Sequence, residues 1–242
     1  MSEPPPLREF PFFVDVDDAT VQRLASEAKV EAHQGGAVLF RQGERVTAMS
    51  FVMRGFVKLT RTAVSGDETL VGMRTDRASL NEAPINGGET HHYSAETVGP
   101  ATALKIPASR FARLMHDHPS LALAALADAK RTVDALTEEI ESLKARSAEH
   151  RLVRFLISFC PPEEDQCRFR LPYDKRLVAA CLGVTQETLS RSFARLRAYG
   201  VRTEARGIGI ESVARLRAQF EEKARESRAS TRHAEPAVRG SS

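Results

Sequence analysis

Four polar side chains at residues 186–191 have the types and spacing that read the edges of DNA bases. Glu187, Ser190 and Arg191 lie at positions i, i+3 and i+4, so on a helix they share one face. Arginine donates two hydrogen bonds to guanine O6 and N7, glutamate accepts one from cytosine N4, and a serine hydroxyl suits a base or a phosphate. With Gln186, they predict a surface that reads DNA sequence. The alternative is that Glu187 complements the helix dipole and Arg191 is a solvated charge.

The residues around this set predict a helix-turn-helix. An aliphatic run ends at Gly183, Thr185 suits a helix N-cap, and Gly200 suits a helix stop. The apolar residues between them recur at spacings of four and three, and they are Leu189, Phe193 and Leu196. Two helices joined at a tight glycine turn place the second helix in the DNA major groove. The residues predicted to contact phosphates, which position the protein without specifying sequence, are Lys175, Thr185, Arg195 and Arg197.

The segment after Gly200 predicts a wing beside this motif. The sequence VRTEARGIGIES indicates two short strands joined about Arg206-Gly207, followed by a last helix at about 212–223. The predicted winged helix-turn-helix domain spans 148–222. The tail, 223–242, is polar and rich in proline, glycine and serine, so it is predicted to be disordered.

A long helix predicted at 119–147 carries a narrow apolar stripe. The stripe has spacings of 3, 4, 3, 4 and 3, and its residues are Leu126, Ala129, Val133, Leu136, Ile140 and Leu143. This is the pattern of a two-stranded coiled coil, and charged residues occupy the other faces, so the stripe predicts a homodimer interface. The alternative is a single amphipathic helix that packs on its own domain.

The region before that helix has the sequence pattern of short strands. From about Val30 to Ile106, runs rich in β-forming residues are separated by glycine turns. This favours a small antiparallel β-roll or jelly roll, predicted as a domain at 10–118 with a helix on either side of the strands. The predicted fold class is therefore α+β: a β-roll, a long dimerisation helix and a winged helix-turn-helix.

Composition and charge narrow the function classes. The chain has 242 residues, 42% hydrophobic and 28% charged, which is typical of a soluble globular protein. Residues 1–146 carry 17 Lys and Arg against 20 Asp and Glu, whereas 147–242 carry 18 against 12, so the second half is predicted to meet nucleic acid. No long apolar run or secretory signal is present, and three cysteines without metal-ligand spacing suit a reducing compartment. These features predict a bacterial cytoplasmic protein without a membrane partner.

The order of these parts resembles the CRP/FNR superfamily of bacterial transcription regulators. The matching motifs are FRQGE at 40–44, FVMRGFVKLTR with its central Gly55, NEAPI at 81–85, and TQETLSR in the predicted reading helix. HRLVRFLISF and LPYDKRLVAACLGVTQETLSR are most similar to the nitric-oxide-responsive DNR branch. The resemblance implies the cyclic-nucleotide-binding type of β-roll, and double-stranded DNA, a second copy of the chain and RNA polymerase as partners of a transcription activator.

The resemblance also implies an operator. The pattern E-x-x-S-R corresponds to the reading set of FNR-type regulators, whose half-site is TTGAT. CRP-type helices, which read TGTGA, carry arginine where this chain has Gln186 and glycine where it has Ser190. The expected operator is therefore the inverted repeat TTGAT-N4-ATCAA.

The residues expected around an effector in the β-roll are Met73, Glu82, His91, His92, Tyr93 and Ser94. Cyclic-nucleotide-binding relatives have Gly-Glu and Arg-Ser/Thr-Ala where this chain has Asn81-Glu82 and Tyr93-Ser94-Ala95. Without that arginine, a cyclic phosphate loses its bidentate partner, so cyclic nucleotide binding is not expected. No cysteine precedes Cys160, which excludes the iron–sulfur cluster of FNR. Heme, with His91 or His92 as axial ligand, is the candidate effector that the DNR resemblance implies, and an exposed turn is the alternative for these histidines.

Three further alternatives stay open. The protein is not expected to be an enzyme or to hold a metal, although His91, His92 and Glu96 on a β-roll suggest a cupin-like metalloenzyme as a remote alternative. A regulator controlled by its abundance alone is a second alternative, and control by redox state is a third. Cys160 and Cys167 flank a loop and could pair on oxidation, but reduced thiols are the default expectation.

Overall fold

Seven strands and the helices around them make up the first part of the chain. The computed structural model describes residues 5–84, 88–145, 147–171, 173–204 and 207–220, without the side chains of 144 and 145. The elements up to the long helix are α1 (Asp18–Glu27), β1 (Lys29–His33), β2 (Val38–Phe40), β3 (Ala48–Arg54), β4 (Val57–Thr62), β5 (Glu68–Arg74), β6 (Ser94–Thr97), β7 (Ala101–Pro107), α2 (Ala108–Asp117) and α3 (Pro119–Ala145). The described residues divide into two compact units within α3, after Ala135.

The strands of the first unit form two antiparallel sheets, which confirms the predicted β-roll. Their orders are β1-β7-β3 and β2-β6-β4-β5. Apolar side chains from the strands, α1 and α2 form the core, in which the Phe10, Phe12 and Phe13 rings pack against Phe51. Gly55 turns β3 into β4 with a φ of +98°, and a Cβ there would stand 2.7 Å from the Pro100 carbonyl oxygen. Only glycine fits such a turn, which explains its central place in the predicted strand pair.

A capping aspartate joins the beginnings of two helices in this unit. The Asp17 carboxylate accepts hydrogen bonds from the Thr20 amide at 2.9 Å and from the Ser120 hydroxyl at 2.7 Å. These hydrogen bonds, that from Ser120 first, lower the pKa of Asp17 to about 2. The start of α3 at Pro119, as predicted, is therefore held against the first turn of α1.

The second unit, from Leu136 onward, contains the end of α3 and the predicted winged helix-turn-helix. Its further elements are α4 (Ala148–Ile157), β8 (Cys167–Phe169), α5 (Lys175–Cys181), α6 (Gln186–Leu196), β9 (Val201–Glu204), β10 (Gly207–Ile210) and α7 (213–220). The three strands form an antiparallel sheet in the order β8-β10-β9. The predicted disordered tail, 223–242, and Arg206 in the predicted wing turn lie outside the described residues. None of the described helices combines the length and the apolar composition that a membrane span requires.

One expectation about the cysteines is wrong. Cys160 and Cys167, expected as reduced thiols, are joined by a disulfide. The chain turns back after α4, which places the two Cα atoms 5.7 Å apart, a usual separation for this bond. Cysteine spacing alone could not show this, because the distance depends on the path of the loop between them.

Candidate nucleic-acid interface

Local capping signals build the helix-turn-helix. The Asp174 carboxylate accepts a hydrogen bond from the Leu177 amide at 2.8 Å and caps α5. Gly183 makes the turn with a φ of +60°. The Thr185 hydroxyl then accepts one from the Thr188 amide at 3.2 Å and caps α6, as the sequence predicted. Because both caps are encoded within three residues of each helix start, this turn is specified locally.

As predicted, α6 has one buried apolar face and one exposed polar face. Leu189, Phe193 and Leu196 are buried in the core of the second unit. The four residues predicted to read bases are all exposed at the beginning of the helix, and they are Gln186, Glu187, Ser190 and Arg191. After Leu196 a single 3-10 turn leads to Gly200, which has a φ of +83° and ends the helical segment.

Glu187 and Arg191 contact each other on the exposed face of α6. An Arg191 Nη atom lies 3.6 Å from a Glu187 carboxylate oxygen, and the side chains are 71% and 85% exposed. An ion pair so exposed adds little to stability, so its effect is to restrict where the guanidinium points. This arrangement presents one donor group and one acceptor group side by side, as base-edge contacts require.

The residues predicted to contact phosphates differ in their surroundings. Lys175 Nζ lies 5.9 Å from the centre of the Phe193 ring and is exposed at the start of α5. Thr185 and Arg197 are exposed at opposite ends of α6. Arg195 instead forms a close ion pair with Glu149 of α4. This contact, which no local pattern reveals, fastens α6 to α4.

The wing contains a close backbone approach that requires glycine. A Cβ built on Gly207 would stand 2.4 Å from the carbonyl oxygen of Phe169 on β8. An open cleft of about 600 Å³ lies beside it, lined by Arg170, Leu171, Lys175, Thr203, Glu204, Gly207 and Ile208. Arg170 and Thr203 could not be predicted from helical spacing, because sheet pairing is what brings them close to Lys175.

Replacing Gly207 by alanine is expected to destabilise the DNA-binding unit by about 1–3 kcal/mol, because the new methyl group meets rigid backbone. Urea unfolding followed by circular dichroism measures the change. Gly209→Ala is the matched control, since a Cβ there meets flexible side chains rather than backbone: Glu204 at 3.3 Å and Arg168 at 3.8 Å. Equal shifts of the urea midpoint for both variants would contradict this account.

The predicted apolar stripe on α3 is exposed in the single chain. Leu126 is 66% exposed and Ile140 is 52% exposed. The other predicted residues, Ala129, Val133, Leu136 and Leu143, are also exposed. Leu123 is also exposed about one turn before Leu126, although the heptad alternation would continue to Ala122 rather than to Leu123. A run of large apolar side chains left in water is typical of an interaction surface.

Three of the six residues predicted around an effector lie together in the β-roll. His91 is buried and stacks on Phe40, with ring centres 3.8 Å apart. The Tyr93 hydroxyl lies 3.1 Å from the Leu80 carbonyl oxygen and 3.2 Å from a Glu82 carboxylate oxygen. Burial raises the pKa of Tyr93 and lowers the pKa of His91 from their ordinary values. Tyr93 therefore contacts Glu82 and the backbone of Leu80, whereas His91 contacts Phe40.

The other three predicted effector residues do not join this group. His92 is exposed next to buried His91. Ser94 accepts a hydrogen bond from the Gln42 amide at 3.0 Å, and Met73 is half-buried on β5 opposite Lys58.

The surroundings of the histidines do not fit a heme. Phe40 covers one face of the His91 ring. Burial lowers the pKa of His91, and the negative charges of Glu82 and Glu44 partly offset that effect. A heme needs a roomy apolar pocket beside its axial ligand, whereas His91 is packed in the core and His92 faces water. Among the described residues there is also no group of three or more His, Cys, Asp or Glu side chains that could hold a metal ion.

The residues that replace the cyclic-nucleotide motifs are used within the protein. The Asn81 side chain accepts a hydrogen bond from the Ser50 amide at 2.9 Å and donates to the Ala48 carbonyl oxygen at 3.1 Å. Tyr93 stands beside the Glu82 carboxylate rather than presenting a cation. A negatively charged phosphate would find no charged donor at these two positions.

Comparison with known proteins identifies both the β-roll and the helix-turn-helix. Residues 30–118 match the family described as cyclic nucleotide-binding domain, and residues 150–219 match the Crp-like helix-turn-helix domain. The chain is 27% identical to the global nitrogen regulator of Synechocystis sp. over 188 residues, 74% of this chain and 84% of that protein. It is 25% identical to the transcriptional activator protein FnrA of Stutzerimonas stutzeri over 178 residues, 71% of each chain.

A solved structure from Ruegeria pomeroyi DSS-3, provisionally described as a cyclic nucleotide binding protein, is 33% identical to this chain. The match covers 89% of this chain and 95% of the other, with a TM-score of 0.67. The β-roll, the long helix and the helix-turn-helix thus recur in the same order in a relative of nearly the same extent.

Proposed function

Because the chain belongs to the CRP/FNR superfamily of bacterial transcription regulators, we propose that it binds DNA as a homodimer and reads an inverted repeat. The family membership confirms the resemblance found in the sequence. It also confirms that the chain is a regulator and not an enzyme, so the cupin-like alternative is dropped. The single observation that carries the proposal is the exposed face at the start of α6, on which four polar side chains stand together.

The proposed operator is TTGAT-N4-ATCAA. Arg191 donates to guanine and Glu187 accepts from cytosine, and their mutual contact at 3.6 Å supports this pairing of roles on adjacent turns. Gln186 and Ser190 favour the FNR-type half-site over the CRP-type TGTGA. Lys175, Thr185 and Arg197 hold phosphates, and Arg195 holds α6 against Glu149 as well as facing the DNA.

The proposed dimer forms along the apolar stripe of α3. Its exposure in the single chain supports a partner of the same shape, and its charged flanks leave a narrow apolar seam that a second copy can cover. The two-fold symmetry of such a dimer matches the symmetry of the inverted repeat, with half-sites about one helical turn apart.

The regulator is proposed to activate transcription in the bacterial cytoplasm through contact with RNA polymerase. The relative named as a transcriptional activator supports the sign of regulation. Redox state is the proposed input, since the surroundings of His91 do not suit heme and nitric oxide control through it. Control by abundance alone is the alternative that a redox experiment separates from this proposal.

The test is a comparison of three DNA duplexes with the full chain, by fluorescence anisotropy and footprinting. Binding to TTGAT-N4-ATCAA is expected to be about 10³-fold or more tighter than to a scrambled duplex, as for specific regulators in general. The CRP-type TGTGA repeat is expected to bind less tightly than the TTGAT repeat. Equal affinity for all three duplexes would overturn the proposed readout.

A further inference from the structure

The disulfide between Cys160 and Cys167 closes a loop at the surface of the second unit. Cys160 is half-buried just after α4, Cys167 is the buried first residue of β8, and residues 161–166 between them are exposed. The loop contains Pro161-Pro162 and two glutamates, so it has little apolar surface of its own to hold it in place. Of the two cysteines, Cys160 is the one that solvent and small molecules can reach, since Cys167 is only 3% exposed.

The bond connects the supports of the two elements that are proposed to approach DNA. On one side, α4 carries Glu149, which pairs with Arg195 of the reading helix α6. On the other side, Cys167 pairs with Ile210 of β10, and β10 pairs with β9 to form the wing. The disulfide is a covalent tie between the support of the reading helix and the sheet of the wing.

The same loop also holds the start of α7. The Asp165 carboxylate accepts hydrogen bonds from the Ala214 amide at 2.8 Å and from the Ser212 hydroxyl at 3.1 Å. Its carbonyl oxygen accepts one from the Val213 amide at 2.7 Å. A change in the loop thus reaches the helix that follows the wing in the chain.

Noncovalent contacts keep the same segments together when the bond is absent. The Phe159 ring stacks on Phe169 of β8, with ring centres 5.2 Å apart, and Phe155 packs edge-on against Phe159. Reduction is therefore expected to loosen the wing rather than to unfold the unit. Because the reduced domain stays folded, its DNA affinity can be restored when the bond forms again.

The third cysteine does not compete for this chemistry. Cys181 is half-buried, and burial raises the pKa of its thiol to about 11, so the thiol is protonated at neutral pH. Since thiolates are the reactive form, Cys181 reacts slowly. The chain has three cysteines in all, which leaves Cys160 and Cys167 as the pair that can exchange.

We propose that Cys160 and Cys167 form a reversible thiol–disulfide pair that sets DNA affinity, with the oxidised form binding more tightly. The inference rests on the proposed DNA-binding function and supplies its input. In the oxidised form the wing and the reading helix are held in one arrangement, whereas the reduced form must order the loop on binding and loses affinity.

The oxidant is a low-molecular-weight disulfide such as glutathione disulfide. The thiolate of half-buried Cys160 attacks one sulfur of that disulfide, forms a mixed disulfide and releases one small thiolate. The Cys167 thiolate then attacks the Cys160 sulfur, which forms the protein disulfide and releases the second small thiolate. The two thiol protons leave with the two small thiols. Two electrons pass from the protein sulfurs to the small disulfide.

The experiment compares DNA binding by the full chain after reduction with a phosphine and after reoxidation with glutathione disulfide. Intact mass confirms each state, since the oxidised chain is lighter by two hydrogen atoms. The reduced form is expected to bind TTGAT-N4-ATCAA more weakly by a factor of about 5 to 150, a usual range for coupling between two sites. Cys160→Ser is expected to bind like the reduced form in both conditions, and the matched control Cys181→Ser is expected to keep the response.

The outcomes separate the two proposals. Equally tight specific binding in both redox states, or tighter binding by the reduced form, overturns the thiol–disulfide pair and leaves DNA reading intact. A response that persists in Cys160→Ser overturns it as well. Failure of both states to prefer the inverted repeat over scrambled DNA overturns both proposals. A far-UV circular dichroism spectrum of Cys160→Ser that matches that of the parent chain shows that the variant is folded. These outcomes then do not arise from misfolding.

Discussion

Replacing Ile140 by aspartate is expected to separate the dimer and to abolish tight operator binding. A buried isoleucine contributes about 1.5–3 kcal/mol, and two-fold symmetry counts the side chain twice, so the dimer weakens by about 3–6 kcal/mol, or roughly 10²–10⁴-fold. Each subunit then binds one half-site without its partner, which lowers operator affinity by about 10²–10⁴-fold. Sedimentation equilibrium measures the dimer, and anisotropy measures the DNA affinity.

A matched pair of alanines on α3 provides the control. Ala129 belongs to the apolar stripe, whereas Ala127 is exposed on another face of the same helix. Ala129→Asp is expected to weaken the dimer and Ala127→Asp to leave it intact, although both variants gain the same charge. Dimers that withstand Ile140→Asp and Ala129→Asp would show that α3 serves the single chain alone, as in the amphipathic alternative.

Replacing Arg191 by alanine is expected to remove base discrimination. The loss is about 1–3 kcal/mol for each half-site contact, a factor of roughly 5 to 150, because a bidentate contact to guanine is removed. Binding to scrambled DNA is expected to change little, since the Arg191 guanidinium is held toward Glu187 on the reading face. Anisotropy titrations on TTGAT-N4-ATCAA and on scrambled DNA in one buffer measure both effects.

A change in the DNA completes this test. When the guanine of each half-site is replaced by adenine, the parent chain and Arg191→Ala are expected to bind with equal affinity. Arg197→Ala is the control for a phosphate contact, and it is expected to weaken binding to every duplex by a similar factor. If Arg191→Ala weakens binding to scrambled DNA as much as to the operator, Arg191 is a phosphate contact and the assigned base contact is wrong.

Short-range signals explain why the reading helix could be predicted from the sequence. Thr185 caps α6 through a residue three positions later, and Leu189, Phe193 and Leu196 follow the helical period. Every contact that defines the motif therefore lies within a few residues of the chain. The β-roll was predictable for a related reason, since Gly55 marks a turn that only glycine can make.

Long-range contacts explain what the sequence could not predict. The pair between Arg195 and Glu149, which are 46 positions apart, gives a residue predicted to contact phosphate a second role as a support of the helix. The burial of His91 against Phe40 depends on strand pairing across the β-roll. The disulfide depends on how the loop after α4 returns to β8. Spacing along the chain carries no information on these three distances.

The ion pairs on the second unit have a consequence for how binding responds to salt. Arg191 and Arg195 each face a carboxylate, as do Arg168 and Arg202 beside the wing. Within the described residues, Lys175 and Arg197 are the predicted phosphate contacts that have a full charge and no ion-pair partner. A dimer thus displaces roughly four counterions, which corresponds to a slope of about −4 in log affinity against log salt. Because the affinity falls only slowly as salt rises, contacts with bases, rather than general attraction to the DNA backbone, determine which DNA sites the regulator occupies.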